Sequence, residues 1–125
     1  MNLTLSVLAG EYAVCRLDSQ TPPPAWAFAG NWWSVTRTAD ELSVVCGARQ
    51  VPADVQSSRG WAALKLHGPF DFGLTGILAS VLDPLRDAGV GIFAVSTFDT
   101  DYVLVPERDL SPALEALREA GHQVH

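Results

Sequence analysis

The chain has 125 residues, of which 48% are apolar and 18% charged, with four Trp and five Phe. That suffices to build one compact domain, or two very small ones sharing a core, and it excludes a disordered chain. The formal net charge is −6 and the eight Lys and Arg are scattered, so neither nucleic acid nor an anionic membrane surface is an expected partner, since both call for a concentrated cationic face.

In chain order, Met1 to Leu8 is apolar but lacks a basic leader and a cleavage site, and reads as a strand, not a signal peptide. No apolar run approaches the roughly 20 residues that span a bilayer, and a soluble, cytoplasmic protein is expected. Leu3 to Leu8 and Tyr12 to Leu17 read as strands joined at Gly10-Glu11. Thr21-Pro-Pro-Pro24 excludes helix and central strand, and Ala25 to Phe28 fits one short helical turn. Trp33 to Thr38 and Glu41 to Cys46 form a hairpin across Ala39-Asp40, and Val51 to Arg59, with Pro52, reads as a connection. Cys15 and Cys46 lie in apolar, strand-like surroundings and are expected to be buried, reduced thiols.

The second half has a clearer pattern. Trp61 to Leu66 reads as a strand, with Lys65 its one charge. After Gly73, apolar residues at Leu74, Ile77, Leu78, Val81, Leu82 and Leu85 have helical spacing on one face. Pro84 is expected to kink or loosen the last turn, and Gly89 to stop the helix. Gly91 to Phe98 and Tyr102 to Pro106 read as strands around the turn Asp99-Thr-Asp101. Leu110 to Ala120 reads as a second helix capped at Ser111-Pro112, with Leu110, Leu114 and Leu117 inward. His122 to His125 reads as a last strand.

From Trp61 onward the order is strand, helix, strand, strand, helix, strand. Two crossovers of one hand then give an α+β, ferredoxin-like (βαββαβ) domain, an antiparallel sheet with both helices on one face. The first half reads as a truncated copy that extends the sheet. The expected division is residues 1–58 and residues 59–125.

Two connections carry the small polar and acidic residues, as ligand pockets on an apolar scaffold do. Gly73 and Gly76 bracket a helix start, where free backbone N–H groups suit a carboxylate. Thr75 adds a hydroxyl, and Asp99 and Asp101 suit an ammonium or a basic side chain. The same residues also serve plain structural ends: Asx-type turns account for the aspartates, tight turning for the glycines, and a strand end for Ser96 and Thr97. His67, His122 and His125 have no acidic or Cys partner at metal spacing, so no metal and no cofactor is expected. No nucleophile elbow, P-loop or paired acid and base is present, so no enzymatic activity is expected.

Gly68-Pro-Phe-Asp-Phe-Gly-Leu-Thr-Gly-Ile-Leu, followed by Val-Ser-Thr-Phe-Asp-Thr-Asp-Tyr-Val-Leu-Val105, resembles the ACT-domain proteins. The likeness is to small stand-alone bacterial chains with two tandem ACT-like units, a module shared with aspartate kinase regulatory regions and eukaryotic arginine sensors. It covers Trp61 to Val124 best and extends weakly to residues 1–50 through Trp-Trp-Ser-Val-Thr-Arg-Thr and Asp-Glu-Leu-Ser-Val-Val-Cys. The resemblance implies sensing of a free amino acid without catalysis, and a homodimer. It also implies a ligand site at Phe72, Gly73, Leu74, Thr75 and Gly76 with Ser96, Thr97, Phe98, Asp99 and Asp101. The alternative is a structural or protein-interaction module that keeps the fold without a ligand.

Overall fold

The structure, a computed structural model, describes residues 1–125. Two compact units are present, and they do not follow the order of the chain: Gly10–Trp61 forms one, while Met1–Ala9 and Ala62–His125 form the other. The N-terminal strand thus lies with the C-terminal half, whereas the sequence pattern grouped it with its neighbours in the chain.

The unit Gly10–Trp61 is built on β2 (Tyr12–Leu17), β3 (Ser34–Arg37), β4 (Leu42–Gly47) and the first half of β5 (Ser57–Leu66), in the order β3-β4-β2-β5. Tyr12 pairs with Gly47 and Leu17 with Leu42, in antiparallel register. Alternate residues Ala13 and Cys15 on β2, and Leu42, Val44 and Cys46 on β4, therefore share one face and make the core with Ala27, Ala48 and Val51. Both thiols are free and buried. The hydrogen bond to Cys15, together with burial, pushes the Cys46 thiol up. Ser57 to Arg59, expected in a connection, is strand: Ser57 and Ser58 pair with Cys15 and Val14. Arg59 donates to the carbonyls of Ala48 and Val51 at 3.0 and 3.1 Å, which holds the preceding segment against this strand.

The other unit has the sheet order β6-β7-β5-β1-β8, from β1 (Thr4–Val7), the rest of β5, β6 (Phe93–Ser96), β7 (Asp101–Pro106) and β8 (Gln123–Val124). β1 is antiparallel to β5 (Leu5 opposite Leu66) and parallel to β8 (Leu5 opposite Val124). The expected strand-helix-strand order from Trp61 is present, with β1 inserted between its first and last strands. The helices are α1 (Ile77–Asp87) and α2 (Leu110–Glu119). Ile77, Val81 and Leu85 from α1 and Ala113 and Leu117 from α2 are buried with Leu5, Leu64, Leu66, Val103 and Val105 of the sheet.

Two details of the helices differ from the sequence reading. Leu74 precedes α1 and is 54% exposed rather than part of the buried stripe. Helix α2 begins on Asp109 after a 3-10 turn over Glu107–Asp109, so Ser111 and Pro112 lie inside its first turn instead of capping it. Both helices end on a left-handed glycine. Gly89 (φ 75°) donates to the carbonyl of Arg86 and Val90 to that of Leu85; Gly121 (φ 99°) donates to Arg118 and His122 to Leu117. A side chain at that φ is strained, which is why both positions are glycine.

Candidate functional site

The loop from Gly68 to Gly76 and the turn from Thr97 to Thr100 lie against each other. The amide of Phe70 donates to the carbonyl of Asp99 at 2.8 Å. The approach is close enough that a Cβ on Gly68 would stand 2.7 Å from that carbonyl oxygen, so only glycine fits. The turn is fixed from within: the Thr97 amide donates to the Thr100 carbonyl at 2.8 Å, and the Thr100 hydroxyl donates to the Leu66 carbonyl at 2.6 Å. The entry loop folds on Asp71, whose carboxylate accepts the Gly73 amide at 2.8 Å.

These two connections and the first turn of α1 line a cavity of about 370 Å³ that is open to solvent, within the size range of small-ligand sites. Eight of the ten residues expected at the site line it: Phe72, Leu74 and Gly76 from the loop, and Ser96, Thr97, Phe98, Asp99 and Asp101 from the strand and turn. Gly73 and Thr75 do not; Gly73 is taken up by the Asp71 turn. The lining also includes Phe70, Asp71, Ile77, Leu78, Ala79 and Thr100, none of which the sequence reading assigned to the site. The periodicity that places Ile77 and Leu78 in the core gave no signal for a second role, since one turn of helix presents residues to both core and cavity.

Phe72 and Phe98 do not fill the space. Their rings meet edge to face at 5.0 Å, and 75% and 79% of their respective surfaces remain exposed.

Helix α1 starts on Gly76, in left-handed geometry (φ 80°), with no side-chain cap and no acidic residue in its first turn. The Ser80 amide donates to the Gly76 carbonyl at 3.0 Å. The amides of Ile77, Leu78 and Ala79, before it, have no acceptor within the helix. Gly76, Ile77, Leu78 and Ala79 all line the cavity, so the positive end of the helix dipole faces it. Asp71, Asp99 and Asp101 line it as well, and no Lys or Arg does. The Ser96 hydroxyl donates to the Asp101 carboxylate, which fixes that carboxylate at the strand end. One cavity thus offers backbone donors for an anion and carboxylates for a cation, the arrangement a zwitterion matches.

Other histidines, tryptophans and carboxylates lie elsewhere. His67 is exposed beyond β5, its Nε2 2.5 Å from the Ser6 hydroxyl. Trp33 is partly exposed against Phe28, and Trp32 packs edge to face on Tyr12. Asp83 pairs with Arg86 at 3.6 Å on the surface of α1. His122 is buried, and its position near the chain end gave no hint of that. No helix is long and apolar enough to cross a membrane.

A fold of this order, with such a cavity at the start of its first helix, defines a small ferredoxin-like α+β module. The ACT domain model matches residues 56–119, and the chain belongs to the ACT-domain family. A second family model, for an N-terminal domain, matches residues 10–54. A crystal structure of an Agrobacterium tumefaciens protein is 45% identical, with a TM-score of 0.95, covering all of this chain and 93% of that one. The bovine cytosolic arginine sensor for mTORC1 subunit 1 is 33% identical over 129 residues, covering 92% of this chain and 39% of the sensor. The chain therefore spans well under half the length of that curated relative. The regulatory subunit of aspartate kinase from Thermus thermophilus shares the fold at a TM-score of 0.63 and 13% identity, covering 93% of this chain and 95% of that one.

Proposed function

We propose that the chain is an amino-acid-binding regulatory module with no catalytic activity of its own. The observation that carries this reading is the cavity in which the uncapped start of α1 faces Asp99 and Asp101 with no cationic side chain in the lining. The ligand's α-carboxylate sits at the amides of Leu78 and Ala79, and its ammonium or basic side chain at Asp99 and Asp101. Each desolvated charge-assisted bond contributes about 1.5–3 kcal/mol. Phe72, Leu74, Ser96, Thr97 and Phe98 complete the site, with Gly73 and Thr75 shaping its loop. Arginine is the first ligand to test, because the bovine relative is named as an arginine sensor and a guanidinium matches two carboxylates.

Calorimetry or thermal-shift screening of the twenty amino acids at millimolar concentration decides the matter. A ligand present at a hundredfold its Kd raises stability by about 2.7 kcal/mol; no response to any of them sinks the reading. A second reading, an interaction module that has kept the fold without a ligand, draws on the exposed Phe72 and Phe98.

The protein is proposed to act in the cytoplasm as a homodimer, and Gly10–Trp61 as a truncated ACT-like unit. Edge strand β6, which pairs only with β7, supplies unpaired backbone groups for a second copy. Light scattering that returns a monomer at high micromolar concentration removes the dimer.

A further inference from the structure

Pro84 lies inside α1. It has no amide hydrogen, so the carbonyl four residues earlier, that of Ser80, has no donor within the helix. Ser80 is partly buried, and a carbonyl screened from water without a donor is costly. The structure supplies one from another element: Nε2 of His122 lies 2.8 Å from the Ser80 oxygen. His122 is 4% exposed, and its Nδ1 lies 3.0 Å from the Leu3 amide nitrogen. A backbone amide only donates and a carbonyl only accepts, so the ring carries its hydrogen on Nε2 and accepts on Nδ1. The ring is also held at its base, because the His122 amide donates to the Leu117 carbonyl at 3.0 Å just beyond the left-handed Gly121.

We infer that His122 is a positioning residue for the cavity: its Nε2–H replaces the donor that Pro84 lacks and fixes the first turn of α1, whose Leu78 and Ala79 line the cavity. Ser80 is the residue next to Ala79, and its own amide bonds back to Gly76. The bond from His122 therefore acts one residue away from the proposed carboxylate site. The positioning role rests on the reading of that site as the seat of an amino-acid carboxylate; the Pro84–His122 compensation does not.

Three variants test it. In His122→Gln the side-chain amide nitrogen reaches the place of Nε2 and still donates to Ser80. In His122→Asn the shorter side chain keeps an acceptor for the Leu3 amide but does not reach Ser80. The double variant His122→Asn with Pro84→Ala restores a backbone donor to the Ser80 carbonyl. Hydrogen exchange in the protein without ligand is expected to quicken by about fivefold across residues 80–82, the first amides bonded within α1, in His122→Asn, the size of one ordinary hydrogen bond. It stays near wild type in His122→Gln and in the double variant, with α2 as the internal reference. Affinity for the amino acid found by screening follows the same order, while the corresponding amine lacking the carboxylate binds all forms alike.

Equal effects of the Gln and Asn variants, or no rescue by Pro84→Ala, overturn the inference. If no amino acid binds the wild type, the functional reading and the positioning role fall together, and the exchange measurement still decides the Pro84–His122 compensation.

Discussion

The two helices of the Met1–Ala9 and Ala62–His125 unit are alike in length, in burying one apolar face and in ending on a left-handed glycine, yet they begin differently. Helix α2 is preceded by Glu107 and Asp109, with Asp109 at its first boundary. Its own chain thus places negative charge where the helix dipole is positive. Neither helix has a side-chain cap or an acid within its first turn, but α1 begins on Gly76, with no acid at its boundary, and its first turn lines the cavity. Core packing demands similar faces of both helices, but it does not demand that one start be neutralised and the other left bare. On the function proposed above, this difference leaves the start of α1 open to the carboxylate of a ligand.

The largest effect should come from making α1 resemble α2. Ala79→Asp puts a carboxylate in the first turn of α1, where it meets the helix dipole favourably and stabilises the fold by about 0.3–1 kcal/mol. The same carboxylate occupies and repels the proposed carboxylate position, and amino-acid affinity should fall by about tenfold or more. Chemical denaturation and calorimetry on one sample give the two numbers. Stability that holds or rises while binding collapses supports the contrast between the helices; binding that survives means the start of α1 is not where the ligand's carboxylate lies.

Much of this unit was legible in the sequence because its signals are local. The spacing of Ile77, Val81 and Leu85 gives a helix face, and Gly89 and Gly121 give stops, each from a neighbour a few residues away. The loop and turn of the candidate site were legible for the same reason, as clusters of Gly, Phe, Thr and Asp at predicted element ends. What was not legible depends on long-range pairing. Nothing local tells β1 to leave Tyr12–Leu17 and insert between β5 and β8, since its apolar residues would suit either unit. Polar Ser57 and Ser58 read as loop because their strand character comes from pairing with β2. Pro84 read as a weak point in α1, and the group that compensates it, His122, stands 38 residues further along the chain. A lone histidine near a chain end carries no sign of the carbonyl it serves.

The smallest effect is expected at the other helix. Asp109→Asn removes the charge at the boundary of α2 and leaves the side chain's shape almost unchanged. Asp109 makes no side-chain hydrogen bond to the helix, and its contact with Arg108 is long, 3.9 Å, with the Arg108 side chain mostly exposed. Little beyond the dipole interaction is therefore lost, and stability should fall by only about 0.3–1 kcal/mol, less as salt is raised. Amino-acid binding should not change, because Asp109 does not line the cavity. Urea denaturation at low and high ionic strength, beside calorimetry at the same two conditions, separates the terms. If the loss is indifferent to salt, Asp109 stabilises α2 by something other than its charge, and the acid-led start of α2 is then no counterpart to the bare start of α1. If binding weakens as well, the two helix starts are coupled rather than separate in purpose.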